Sequence, residues 1–467
     1  MPTHKTSSFH ERRGRAFRMP RAVVYLVLGL ALLIQAGCSR VRGLFDRDKV
    51  LTPVEVFQKV SPSVLVVEAL TEDGKPLMLG SGVALAQDLL ITNCHVIQNS
   101  SSLRIRRGEQ NWTARLLVAM PEHDLCGIRP SGLTMQPAQM SPASGLATGE
   151  HVYAVGSPEG LELTFSEGLI SALRDSGGAH VIQTTAPISP GSSGGGLFDT
   201  HGKLIGITTF YLNEGQSLNF ALPSEWVRAT LEQVSATPGK PSTRQSDAEL
   251  ESAAWLQIGL EALKNEDYEL AFRSLIKCAN LKQSSAARAH LELGKIAARV
   301  WQNPSNAYDV WFHNHSWSPE EASGQAIQAF ENAIEVKPGY AEAWVELSKC
   351  HYQRKEYDQA ISAAKESTRL APNGWEGWFE LGGGLFQTES YDEAIVAFQH
   401  AEKVAPDSER AKAVVALGII YDKKGDREHV LKVYQELQHL NSVAAKNFFQ
   451  AYVLPQEQTV QPGKSLK

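Results

Sequence analysis

Apolar positions change rhythm three times along the chain. Ala22 to Ile34 is an unbroken apolar run of 13 residues. From Val54 to about residue 232 the apolar residues come in short clusters broken by glycine and polar residues, among them Ser63–Glu68, Leu89–Thr92, Thr113–Val118, His151–Val155 and Leu204–Phe210. Many short β-rich runs separated by turns predict an all-β barrel or sandwich. Beyond residue 251 the spacing becomes helical. Trp344 and Trp378 stand 34 residues apart, as do Leu347 and Leu381, Tyr357 and Tyr391, and Ala360 and Ala394, while Pro338, Pro372 and Pro406 repeat the step twice. A 34-residue period with these residue types is the tetratricopeptide pattern, in which helix pairs stack because each buries an apolar face it cannot bury alone.

These rhythms divide the chain into a leader (1–37), a tether (38–53), a β domain (54–232), a linker (233–250), helical repeats (251–442) and a tail (443–467). The linker is predicted to be flexible, being polar with Pro238, Gly239 and Pro241. Two full repeats are expected at 341–374 and 375–408, and an aromatic insertion at 302–319 reads as a loop packed on the solenoid. The tryptophans of the period are expected in the core.

The leader holds six Lys or Arg residues before its apolar run, and a bilayer-spanning helix needs about 20 apolar residues. Thirteen followed by Ala36, Gly37 and Cys38 fits an export signal. The arrangement resembles a bacterial lipoprotein signal, which implies lipidation at Cys38, although Gln35 stands where that pattern usually has Leu. The expected location is the cell envelope, anchored by lipid to a membrane. The net charge of −6 argues for no nucleic-acid partner, and five cysteines are too few for a disulfide framework in 467 residues.

Chemistry concentrates at three places in the β domain: His95 just after a strand-like run, Asp124 beside apolar text, and Ser193 within Pro190-Gly-Ser-Ser-Gly-Gly-Gly196. A serine hydroxyl needs a base within hydrogen-bond reach, histidine has a suitable pKa, and a carboxylate can hold the imidazole tautomer. Backbone N–H groups in a glycine-rich turn can stabilise an oxyanion. Each signal is weak alone, but their order, His, Asp, Ser, is that of the chymotrypsin triad.

With these pieces, Gly80-Ser-Gly-Val83, Ile91–Ile97, Gly149–Gly160, Ser166–Leu173 and Asn219–Ser224 complete a pattern. Residues of about 55–232 resemble the trypsin-like fold, and most of all the bacterial high-temperature-requirement (HtrA/Deg) proteases. The resemblance implies a double barrel followed by an all-α repeat solenoid. It implies Ser193 as nucleophile, His95 as general base, Asp124 as its orienter, and the N–H groups of Gly191 and Ser193 as the oxyanion hole. Ser192, Gly196 and Thr185 depart from that family's usual Asn, Pro and Asp. Pro187, six residues before Ser193, replaces the acid that makes trypsin select Lys or Arg, so a small or medium apolar side chain is expected before the scissile bond.

The expected partners are protein or peptide substrates and a polypeptide held by the repeats. No metal or organic cofactor is called for. The competing reading is a protease-like lipoprotein scaffold without activity, and an esterase using the same three residues is a third. Cys94 and Cys126 flank the His and the Asp, and either a bond or two buried thiols fits.

Overall fold

The computed structural model describes residues 49–157, 163–176, 179–213, 216–235, 246–303 and 317–454. The leader, Cys38 and most of the aromatic insertion lie outside these residues. No helix among the described residues is long and apolar enough to cross a membrane.

The chain enters through α1 (Pro53–Val60), closed at its start by a capping box of Thr52 and Glu55. Six strands follow: β1 (Val64–Leu70), β2 (Pro76–Ala86), β3 (Leu89–Asn93), β4 (Ser102–Arg107), β5 (Gln110–Met120) and β6 (Leu125–Pro130), with the one-turn helix α2 (Cys94–Ile97) after β3. They close into an antiparallel barrel in the order β1-β2-β3-β6-β5-β4. Six more strands, β7 (His151–Gly156), β8 (Thr164–Ser176), β9 (Ala179–Thr184), β10 (Gly196–Phe198), β11 (Leu204–Asn213) and β12 (Gln216–Pro223), close a second barrel in the order β10-β11-β12-β9-β8-β7. Closure removes the unpaired edges that an open sheet would expose.

Helix α3 (Ser224–Ser235) packs back on the first barrel, where Trp226 stacks on His123 with ring centroids 4.2 Å apart. Among the described residues, five antiparallel helix pairs come next. They are α4 (Asp247–Lys264) with α5 (Tyr268–Asn280), α6 (Ala286–Gln302) with α7 (Pro319–Val336), and α8 (Ala341–Gln353) with α9 (Tyr357–Leu370). Then come α10 (Trp375–Gln387) with α11 (Tyr391–Val404), and α12 (Asp407–Lys423) with α13 (Arg427–Leu440). Small residues allow the close packing; a Cβ at Gly294 would fall 2.4 Å from the Phe330 ring. The period tryptophans are only partly buried: Trp344 and Trp378 each donate their indole N–H to the carbonyl of the proline six residues earlier, Pro338 and Pro372. Residues 442–453, mostly assigned to a tail from sequence, continue as α14 (Ser442–Phe448) and a final turn, with Phe448 and Val453 buried against α13.

The repeats do not hang free of the barrels. One apolar cluster runs from Leu65, Ile105 and Leu116 of the first barrel into Trp255 and Ile258 of α4 and Leu275 of α5. Polar contacts reinforce it: Arg129 of β6 pairs with Asp247 at the start of α4. The half-buried Lys277 amine of α5 donates to the carbonyls of Ser100 and Gln98 and lies 3.7 Å from the Trp255 ring centroid. The expected flexible linker therefore joins two units that share a core.

Candidate active site

The register of the first barrel brings His95 and Asp124 together. β3 and β6 are neighbours, with Asn93 opposite Leu125 and Thr92 opposite Cys126. His95, two residues past the end of β3, and Asp124, one before the start of β6, thus emerge at the same end of adjacent strands.

Asp124 follows a tight turn of Pro121–His123 and takes φ 53°, a left-handed conformation that Asp tolerates better than most residues. That backbone aims both carboxylate oxygens at His95. Oδ1 accepts from the His95 backbone N–H at 2.9 Å, and Oδ2 lies 2.7 Å from His95 Nδ1. A carboxylate only accepts, so Nδ1 is the donor, and in the neutral imidazole the lone pair is then on Nε2. The Asp124 carbonyl accepts from Cys94 N–H at 3.2 Å and Asn93 Nδ2 at 3.0 Å. Thr209, from β11 of the second barrel, donates to Oδ2 at 3.4 Å.

Cys94 and Cys126 are bonded to each other, with Cα atoms 5.0 Å apart. Register is the reason, since Cys126 faces Thr92, two residues before Cys94. Of the two arrangements open from sequence, the structure adopts the bond, not the buried thiols.

Ser193 sits in the turn before β10 and is 5 % exposed. Gly191 and Gly194 on either side have φ 94° and 85°. No side chain fits at Gly194, where a Cβ would lie 2.1 Å from the Ser81 carbonyl oxygen. Ser81 of β2 braces the turn twice: its N–H donates to the Ser193 carbonyl at 2.7 Å, and its hydroxyl donates to the Gly191 carbonyl at 2.8 Å. The same hydroxyl accepts from Ser157 N–H at 2.8 Å. From the other side Thr208 Oγ1 donates to the Ser192 carbonyl at 2.7 Å. The turn is thus clamped between the two barrels. Among the described residues, the N–H groups of Gly191 and Ser193 donate to no protein acceptor, and no hydrogen bond joins Ser193 to His95.

Sequence reasoning missed Ser81, Thr208 and Thr209 as parts of the site. Only the position of Ser81 between Gly80 and Gly82 offered a signal. A Cβ at Gly80 would meet Val96 at 2.6 Å and the Ser193 carbonyl at 3.1 Å, so that strand passes close to the turn. Cys38 lies outside the described residues. Pro187 is exposed, and its carbonyl accepts from Ser166 Oγ at 2.8 Å.

Comparison with known proteins fits this geometry. Residues 80–207 match the trypsin-like peptidase domain. Residues 320–381 and 356–411 match tetratricopeptide repeats. The chain is 33% identical over 208 residues to chloroplastic Protease Do-like 1 of Arabidopsis thaliana, covering 39% of this chain and 47% of that protein. It is 29% identical over 252 residues to the periplasmic serine endoprotease DegP of Escherichia coli K12, covering 50% of each. With mouse serine protease HTRA4 it shares 30% identity over 237 residues, covering 47% of this chain and 48% of the other. The chain spans about half the length of the curated relatives it matches. Its two-barrel domain is similar to the HtrA/DegP-type serine proteases, and its helices to tetratricopeptide repeats.

Proposed function

We propose that this protein is a serine endopeptidase of the cell envelope, exported and held to a membrane by lipid on Cys38, whose repeats hold a protein substrate or partner. The observation that carries the reading is the double engagement of Asp124 with His95, backbone and ring together, which leaves Nε2 as the free base. The braced Ser193 turn with two undonated N–H groups supports it.

In this mechanism Ser193 Oγ attacks the scissile carbonyl carbon while its proton passes to His95 Nε2. The carbonyl oxygen becomes an oxyanion that accepts from the N–H groups of Gly191 and Ser193. Asp124 holds the ring and stabilises the imidazolium. His95 then protonates the amide nitrogen, the C–N bond breaks and the amine leaves, with the acyl group on Ser193. Water attacks that ester, giving its proton to His95, and the second tetrahedral intermediate collapses to release the acid and restore Ser193. Uncharged Pro187 favours an apolar residue before the scissile bond.

Incubation of residues 39–467 with unfolded casein, beside Ser193→Ala, tests the reading. The expected result is cleavage by the parent alone, with cuts after small or medium apolar residues. If casein stays intact and a fluorophosphonate fails to label Ser193, the domain is an inactive scaffold and the reading falls.

A further inference from the structure

Three successive repeats place a glutamate at the same position on their first helix, immediately before the leucine of the repeat pattern: Glu292 on α6, Glu346 on α8 and Glu380 on α10. In two of them a lysine follows one turn later and pairs with it. Lys295 lies 3.4 Å from Glu292, and Lys349 lies 2.8 Å from Glu346. In the third the lysine position is Gly383. Glu380 therefore lacks the cation that its equivalents have, and among the described residues it forms no hydrogen bond or ion pair.

Gly383 also opens space. A cavity of about 480 Å³ lies there, lined by Phe379, Glu380, Gly383, Phe386 and Gln387 of α10, Lys349, Tyr352 and Gln353 of α8 and Phe398 of α11; Lys349 is already engaged by Glu346. Its far wall is apolar, formed by Ala416 and Ile419 of α12. An unpaired carboxylate beside an aromatic wall is complementary to a cation next to a bulky apolar group.

We propose that this cavity binds an extended polypeptide through a Lys or Arg side chain that pairs with Glu380 and a neighbouring large apolar side chain that packs on Phe379 and Phe386. The inference rests on the previous reading only in that the repeats hold a polypeptide; it does not depend on catalysis. The incoming cation takes the place that Lys295 and Lys349 fill in the neighbouring repeats.

Titration gives an independent signature. Burial, opposed by Lys349 and reinforced by Glu346, pushes the Glu380 carboxyl up to about 7. The charged groups around it are those two residues of α8; α11 and α12 present Phe398, Ala416 and Ile419. The cation requires the ionised form. At pH 6 only about a tenth of Glu380 is ionised, so affinity should rise about tenfold from pH 6 to pH 8.

The test uses the full chain carrying Ser193→Ala, so that nothing is cut, with short fluorescent peptides bearing a Lys-Phe, Glu-Phe or Lys-Ser pair. The Lys-Phe peptide should bind at least about tenfold more tightly than the other two, consistent with loss of one desolvated charge contact. Glu380→Gln should remove both the preference for Lys and the pH dependence. Gly383→Lys restores the intrahelical pair. It should block binding while leaving the fold intact, since a Cβ there meets only Tyr352 Cε2 at 3.6 Å. Equal binding of all three peptides, or unchanged Lys-Phe binding and pH profile in Glu380→Gln, overturns the proposal. Tighter binding of Glu-Phe also overturns it and makes Lys349 the anchor. Absent peptide binding together with self-association lost in Glu380→Gln assigns the cavity to a second copy. Casein cleavage by the parent without peptide binding defeats this proposal alone; peptide binding without cleavage defeats only the protease reading.

Discussion

The two barrels share one strand order and differ in what supports them. The first carries His95 and Asp124, is crossed by the Cys94–Cys126 bond and merges its core with the first helix pair. The second carries Ser193 in a turn, and its own core, built on Ile170, Ile182, Leu197 and Ile205, does not extend into the repeats. His95 and Asp124 are joined directly by two hydrogen bonds, whereas Ser193 is placed only through its turn, by glycine conformations and by hydrogen bonds from the Ser81 N–H, the Ser81 hydroxyl and the Thr208 hydroxyl to the turn's carbonyls. One half of the site is thus fixed by side chains, covalent bonding and the helical array. The other half depends on the conformation of a single turn.

The most damaging way to break the fixed half is Asp124→Asn. An amide can offer the imidazole an N–H in place of an acceptor, which favours the wrong tautomer. Peptide hydrolysis should fall by about 10⁴-fold while fluorescence-detected folding stays near that of the parent. Steady-state kinetics on a cleavable peptide checks it, and a loss below tenfold would detach Asp124 from the reaction.

Removing the Cys94–Cys126 bond attacks the same half more gently. The bond spans 32 residues, and opening such a loop should cost about 3–4 kcal/mol on the chain-entropy account. Urea denaturation of a Cys94→Ser, Cys126→Ser double variant measures it. The comparison predicts that the double variant loses hydrolysis at lower urea than the parent does.

The smallest effect belongs to Lys277→Met, which leaves the Gln98 and Ser100 carbonyls without their donor, at a cost of about 1–3 kcal/mol. Burial pushes the Lys277 amine down to about 8, below its value of about 10.4 in an unfolded chain. A lowered folded pKa means that the folded state prefers the neutral amine. That contribution is present above pH 10.4 and lost as pH falls to 8. Parent stability relative to Lys277→Met should therefore rise by about 1.4 kcal/mol per pH unit between pH 8 and 10. A flat difference would show that the amine does not titrate in that range.

Much of this architecture was legible in the residues. Alternating short apolar runs gave way to a 34-residue period where the barrels give way to helix pairs, because both rhythms are local consequences of strand and helix geometry. His95, Asp124 and Ser193 stood out by type and order. What stayed hidden depends on register and docking. The Cys94–Cys126 bond follows from Thr92 facing Cys126, a pairing that no spacing rule contains. Ser81 is an ordinary strand serine until the Ser193 turn folds over it. Lys277 reads as a solvated helix residue, since nothing local says that α5 lies on the loop after α2. The polar stretch at 233–250 reads as a spacer because composition does not report that α4, which follows it, docks on the first barrel.

That shared core changes what counts as a severable piece. Trp255, Ile258 and Leu275 fill the flank of the first barrel, so a chain ending at Ser235 would show water the surface they cover. Conversely, cutting the peptide backbone between Ser235 and Ser246 should leave two fragments that still elute together and part only in denaturant. Because the first barrel and the first helix pair fill one core, two separately expressed halves should reassemble by complementation.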